Sequence, residues 1–388
     1  MKRLVRILVV AGFAFAVGSC DIIGLVTGGL GKTAPDPPSF DVGLFEQNLV
    51  NQVGTQWDGY AYTINQNGQL VASGAFGNWV RGGMAANITT PIYGASVNKF
   101  VAAIGVMKAL QLNPDIDLDD TIDGFLPPQW SATGSLDFFI RNVTIRQLLT
   151  HTSRIPGSFN SDYATLMGIA QNGLVQNNVP QPPATGTAYS NANYGFLRIF
   201  LSTVNGASYG SVPLAELEDS IIVNYQSFMK TNVFDRAGVA GAGITPTVAP
   251  SAARYYQWNN AQDPWTIGDR SWSLASGGYY FAVRDLAQLL AYVNHSNQVI
   301  SKQMRDLMYA NFFGLSDGQA PPLSPNGQFG FYYSKAGALT NNSRGMRAIV
   351  VILPQKVEVV FMANSSGGAM DGTVALRNAI FAAYDAAW

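Results

Sequence analysis

Tyr93-Gly94-Ala95-Ser96-Val97-Asn98-Lys99-Phe100-Val101-Ala102-Ala103-Ile104 opens the stretch around which this chain reads. A helix is expected to begin near Ser96 and to run on through Val106, Met107 and Leu110. Its first turn carries a serine and a lysine three residues apart, and side chains at that spacing share one helix face. First-turn N–H groups lack partners inside the helix, and the helix dipole there favours negative charge. A hydroxyl therefore sits beside an amine, at a place suited to an oxyanion. That is the layout of a serine nucleophile activated by a lysine.

A second Ser-x-x-Lys, Ser227-Phe228-Met229-Lys230, lies inside an expected helix and reads as ordinary helix surface. Order and context separate the two copies. Tyr189-Ser190-Asn191 falls in a loop after a Gly/Pro-rich segment, whereas the Tyr-x-Asn triplets at Tyr292 and Tyr309 read as helix ends. Lys335-Ala336-Gly337 is the only Lys-x-Gly and is expected at the end of a strand over Phe329–Lys335. A glycine there lets a ligand approach the strand closely.

The surroundings are globular. Charged residues make up 12% of the 388 and apolar residues 47%, a core-rich composition. No basic run stands out, which argues against a nucleic-acid partner. Two histidines and one cysteine are too few for an ordinary zinc centre. No metal or organic cofactor is implied. Lys2, Arg3 and Arg6 precede an apolar run, Ile7–Val17, too short to span a bilayer. Val17-Gly18-Ser19-Cys20 then resembles the lipobox of bacterial lipoproteins. It implies a cleaved signal over 1–19, lipidation of Cys20, a tether over 20–40, and export to the periplasmic face of a membrane.

Hairpin signals appear at Gly59–Trp79, with Asn67-Gly68 as the turn, and at Arg347–Ala363, with Pro354-Gln355-Lys356 as the turn. Helical patterns cover Phe40–Val53, Thr144–Thr150, Tyr194–Val204, Leu214–Val233 and Thr373–Trp388. The expectation is an α/β (α+β) sheet domain drawn from 41–110 and 266–388, with a mostly helical insert over 111–265.

Ser-x-x-Lys, Tyr-x-Asn and Lys-x-Gly in this order resemble the penicillin-recognising serine hydrolases: class C β-lactamases, D-Ala-D-Ala carboxypeptidases and β-lactamase-like esterases. The resemblance spans about residues 45–388. It includes Val143–Ser153, Ala275-Ser276-Gly277-Gly278 with Val283–Ala287, Ile352-Leu353-Pro354 and Met362-Ala363-Asn364. It implies a β-lactamase/transpeptidase-like fold, an antiparallel sheet flanked by helices. It implies Ser96 as nucleophile and Lys99 and Tyr189 as the proton-handling pair, whose titrations are coupled. Asn191, Lys335 and Gly337 would position substrate in a positive field. The N–H groups of Ser96 and Ala338 would hold the oxyanion. His151 would be structural in such a family. None of the four glutamates, Glu46, Glu216, Glu218 and Glu358, falls in a setting like the deacylating loop of class A enzymes, which favours the tyrosine route.

Two departures bear on substrate. Ala336 stands where the family commonly has Thr or Ser, removing a hydrogen bond to a substrate carboxylate worth roughly 1.5–3 kcal/mol. That favours an esterase or D-amino-acid peptidase over a class C-like β-lactamase, unless Arg344 or Arg347 replaces the contact. A module that is acylated and stalls, acting as a sensor or cell-wall binder, is the non-enzymatic alternative. Arg154 replaces a usual glycine, so the loop after Ser153 is expected to differ in shape. Loops 157–188 and 245–272 would set specificity. A rival reading rests on Gly206-Ala207-Ser208-Tyr209-Gly210, which fits Gly-x-Ser-x-Gly but must join a strand to a helix. His295 reads as a solvated residue after a helix, and Asp285 as a helix-start or ion-pair residue.

Overall fold

The computed structural model describes residues 39–388 except 132–134, 240–243, 246, 248–251, 316–329 and 369. The signal, Cys20 and nearly all of the tether lie outside the described residues. The chain enters through α1 (Val42–Val53), whose N-cap Asp41 accepts a hydrogen bond from Leu44 N at 3.0 Å. β1 (Gly59–Gln66) and β2 (Gln69–Gly77) form the hairpin expected there. Asn67 and Gly68 have φ of 53° and 76°, the positive values that a tight two-residue hairpin turn requires.

β3 (Ile92–Tyr93) leads into α2 (Val97–Leu112). Every residue from Val97 to Leu110 is buried. A helix apolar on all sides belongs at the centre of a core, and α2 runs through the middle of the larger one. α5 (Asn191–Val204) packs against α2, and α3 (Ile145–Leu149), α4 (Tyr163–Asn172) and α6 (Leu217–Met229) pack in turn on α5. Thr144 and Gln147 close a capping box on α3. β4 (Val175–Gln176) and β5 (Val179–Pro180) form a small surface hairpin.

The end of the stretch read as a helical insert contributes strands. β6 (Ile244–Thr245) pairs with β8 (Tyr280–Phe281), and β7 (Tyr256–Gln257) joins the main sheet. After α7 (Val283–His295) and α8 (Lys302–Ala310) come β9 (Tyr333–Asn341), β10 (Arg344–Leu353), β11 (Val357–Ala363), β12 (Ser365–Ser366) and α9 (Thr373–Asp385). The strand order is β12-β7-β10-β11-β1-β2, with β9 also on β10. All pairings but β12–β7 are antiparallel. β1 lies against β11 with Tyr62 opposite Phe361, so the sheet joins the two ends of the described chain.

Alternation in the late strands explains their unbroken apolar runs. Ile349, Val351, Val359 and Phe361 pack with Phe45, Leu376, Ile380 and Tyr384 of α1 and α9. Their neighbours Ala348, Val350, Val360 and Met362 join the core that surrounds α2. Successive side chains point to opposite faces, and both faces are covered, so Ala348–Leu353 and Val359–Ala363 are apolar throughout. This is the expected fold class, an antiparallel sheet flanked by helices. No helix among the described residues is long and apolar enough to cross a membrane.

Two expectations are corrected. The strand carrying Lys335-Ala336-Gly337 begins at Tyr333 and runs to Asn341, so the triplet lies in its first half, not at its end. Small residues weaken a strand signal, but nine-residue pairing with β10 overrides it. His295 is not solvated. It ends α7, is 18% exposed, and its Nε2 lies 2.5 Å from Glu358 Oε1 on β11.

Candidate active site

Ser96 stands at the start of α2 and is the one residue between Ile92 and Leu110 that is not fully buried. The turn before it is strained, since Ala95 holds φ 44°, which a β carbon disfavours. Buried Asn98 fixes this turn. Its Nδ2 donates to Ala95 O at 2.8 Å and Tyr279 O at 3.2 Å, and its Oδ1 accepts from Tyr279 N at 2.8 Å. Strain of this kind persists only where surrounding bonds over-determine it.

Lys99, with 0% exposure, directs Nζ at three acceptors: Asn191 Oδ1 at 2.7 Å, Ser276 O at 2.8 Å and Ser96 Oγ at 3.3 Å. The Tyr189 hydroxyl lies 2.6 Å from Ser96 Oγ. Nζ of Lys99 and Nζ of Lys335 stand 4.7 and 5.0 Å from the centroid of the Tyr189 ring. Two buried lysine amino groups thus flank the phenol beside the serine. Ser96, Lys99, Tyr189, Asn191 and Lys335, expected from three distant motifs, meet at one point.

His151 supports this cluster and is not placed as its base. Its Nδ1 lies 3.2 Å from Ser190 N and 2.9 Å from Asn193 Nδ2. Both contacts use Nδ1 as acceptor, which puts the ring proton on Nε2. Its carbonyl accepts from Ala188 N at 2.9 Å, and its ring is 4.7 Å from that of Tyr189. Burial, reinforced by Lys335 and Lys99, pushes its pKa down to about 2, so it is neutral. Arg154 takes φ 71°, the backbone a glycine would favour.

β9 forms the facing wall. A β carbon on Gly337 would lie 2.4 Å from Gly94 O, 3.0 Å from Ser96 N and 3.1 Å from Val97 N. Only glycine lets the strand come this near the serine backbone. Ala338 and Leu339 line the cleft beside Ser96, while Ala336 packs against the α1–α9 cluster. Arg347 pairs with Asp371 at 2.5 Å, and Arg344 donates to Asp263 O at 3.0 Å. Neither lines the cleft, so neither replaces the missing hydroxyl at 336.

A further wall of the cleft comes from residues 270–277. Arg198 of α5, fully buried, anchors it by donating to the carbonyls of Trp272 and Ser161, the latter at 3.1 Å. Burial lowers its pKa to about 10, leaving it charged at neutral pH. Ser161 Oγ and Ser276 Oγ are 2.6 Å apart. Asn98, Ser161 and Arg198 are supporting residues of the site that sequence reasoning missed, and Arg270 borders the cleft. Arg198 alone left a signal, as a lone charge in the apolar run of α5.

The competing motifs lie elsewhere. Ser208 follows α5, a helix, so it cannot occupy a strand-to-helix elbow. Ser227 and Lys230 are exposed on α6 and just past it, and Lys230 pairs with Asp235 at 2.7 Å. Tyr292 and Tyr309 sit near the ends of α7 and α8. Asp285 ion-pairs with Arg284 at 3.2 Å in the first turn of α7. Among the described residues no cluster of three or more His, Cys, Asp or Glu side chains could hold a metal ion.

Several solved structures share this fold. FmtA from Staphylococcus aureus is 15% identical with a TM-score of 0.65, over 92% of each chain. An octameric penicillin-binding protein homologue from Pyrococcus abyssi is 19% identical with a TM-score of 0.61, over 84% of this chain and 74% of its own. EstCE1, a hydrolase with promiscuous acyltransferase activity, is 15% identical with a TM-score of 0.61, over 87% of this chain and 99% of its own. At such identities the likeness is one of fold. No curated protein matches the sequence. The family model described as Beta-lactamase matches residues 45–384, nearly the whole of the described chain, and the protein belongs to the β-lactamase family.

Proposed function

We propose that the protein is a serine hydrolase that cleaves an ester or amide through an acyl-enzyme on Ser96. One observation carries this: Ser96 Oγ has the Tyr189 hydroxyl at 2.6 Å and Lys99 Nζ at 3.3 Å. Ser96 Oγ attacks the carbonyl carbon, and its proton passes into the Tyr189–Lys99 pair, which accepts it in the form that holds one proton fewer than phenol plus ammonium. Negative charge on the carbonyl oxygen is held by the N–H groups of Ser96 and Ala338, which the bare Gly337 allows to approach. The pair returns a proton to the departing oxygen or nitrogen. Water then attacks the acyl group, loses a proton to the pair, and frees Ser96. Asn191 and Ser276 O hold Lys99 in place throughout. Lys335 adds positive charge where negative charge develops.

The cleft receives no hydroxyl from position 336, which favours an esterase or D-amino-acid peptidase over a β-lactamase. The esterase-like reading is also in keeping with EstCE1. Intact-mass measurement after exposure to a fluorophosphonate, a short-chain p-nitrophenyl ester and a β-lactam tests the reading. Expected are a fluorophosphonate adduct lost in Ser96→Ala, ester turnover, and little lactam loss. A lactam adduct that persists without turnover would mark a binding lipoprotein instead. Absence of any adduct on Ser96 overturns the assignment.

We further propose export and lipid anchoring through Cys20, with the domain acting outside the cytoplasmic membrane. Cys20→Ala is expected to shift the protein from the membrane fraction to the soluble one. Unchanged fractionation refutes the anchor.

A further inference from the structure

We propose that Arg270 selects acyl donors whose acyl part carries a carboxylate. The inference rests on Ser96 being the nucleophile and deepens that reading by naming a substrate class.

The cavity beside Ser96 holds about 190 Å³ and is lined by Tyr93, Arg270, Trp272, Ser273, Ala338 and others. Neither Tyr189 nor Lys335 lines it. The leaving group takes its proton from the Tyr189 side, so it departs on that side. The acyl part is left to the cavity that Arg270 borders. The volume falls below the roughly 300–1,000 Å³ of pockets for drug-sized ligands, so it suits a short chain.

The Arg270 guanidinium carbon lies 5.5 Å from the Trp272 ring centroid, and the indole limits where the side chain can swing. No carboxylate among the described residues is within ion-pair distance of Arg270. The adjacent Asp269 instead accepts from Ser271 N at 2.8 Å. Nor is Arg270 the anchor of its own wall, since Arg198 holds Trp272 O from below. A planar guanidinium facing a cavity, without an internal carboxylate, fits a carboxylate through two parallel N–H···O bonds. The wall of 270–277 would thus supply the anion contact that β9 lacks at Ala336, and on the acyl side of the scissile bond.

The test compares 4-nitrophenyl butyrate with the mono-4-nitrophenyl ester of glutaric acid, which share a leaving group and differ by a terminal carboxylate. Wild type is expected to favour the glutarate monoester in kcat/KM. Arg270→Gln should lower kcat/KM for that ester by about 10- to 100-fold, and change the butyrate by less than about threefold. Arg270→Lys should retain part of the preference. Equal losses on both esters, or no loss on the glutarate monoester, overturn the inference while butyrate hydrolysis abolished by Ser96→Ala leaves the nucleophile assignment standing. If wild type cleaves neither ester and Ser96 takes no label, both fall.

Discussion

The Tyr189 hydroxyl stands 2.6 Å from Ser96 Oγ, nearer than Lys99 Nζ at 3.3 Å. In the proposed mechanism the phenol is the group placed to relay the proton, with Lys99 beside it. Tyr189→Phe removes one oxygen from a side chain that is 38% exposed, so packing changes little. The expected result is a fall in kcat of about 10²- to 10⁴-fold, the usual worth of a placed acid–base group. Thermal unfolding should be unaltered. Ester hydrolysis within a few-fold of wild type would remove Tyr189 from the mechanism.

Gly337 touches the backbone of Ser96. In Gly337→Ala the new methyl would meet Gly94 O at 2.4 Å and Ser96 N at 3.0 Å, so β9 or the serine turn must move. The proposed oxyanion donors, the N–H groups of Ser96 and Ala338, then lose their spacing. A fall of about 10²- to 10³-fold in kcat is expected, comparable to loss of one oxyanion donor. Circular dichroism should still report the native fold. Unchanged kcat would place the oxyanion elsewhere.

His151 gives a pH dependence of stability. Its folded pKa lies near 2, well below the ordinary 6.5, so below pH 6.5 the unfolded chain takes up a proton that the folded one refuses. Its contribution is complete above pH 6.5 and drains away as pH falls towards 2. Between pH 7.5 and 5.5 this costs about 1 kcal/mol. Urea unfolding of wild type and His151→Gln at both pH values isolates it, because His295 and the carboxylates are common to both. The variant should be less stable at pH 7.5 yet lose less on acidification. Equal losses would show that His151 does not stay neutral.

Arg154 occupies a left-handed backbone position, φ 71°. Its side chain reaches only Ala184 O, at a long 3.4 Å. Arg154→Gly relieves strain of about 1–2 kcal/mol and loosens the unfolded chain by about 0.4–1 kcal/mol. A gain in stability of up to about 1 kcal/mol is expected, with ester turnover unchanged. A clear loss of stability would mean that Arg154 makes contacts essential to the loop.

What was legible in the sequence was local or ordered. Asn67-Gly68 fixes a hairpin within four residues, and the all-apolar run after Lys99 marks a buried helix. Ser96, Tyr189 and Lys335 were found through motif order. Long-range roles were not legible. Asn98 looks like any helix residue until Tyr279, 181 positions away, supplies its partners. Arg198 shows as an odd charge in α5, but its meeting with Trp272 depends on the fold. His295 was read as solvated because Glu358, 63 residues later, could not be foreseen. The start of β9 was misplaced because Ala336, Gly337 and Ala338 carry little strand preference of their own, and β10 supplies it.

The groups around Ser96 arrive from four separated segments, and the last is β9, which is held in the sheet by β10. A growing chain that ends short of residue 338 has the serine, the lysine and the tyrosine but lacks the β9 wall that lies against the Ser96 backbone. On the proposed chemistry, competence emerges late, when the final hairpins close the sheet.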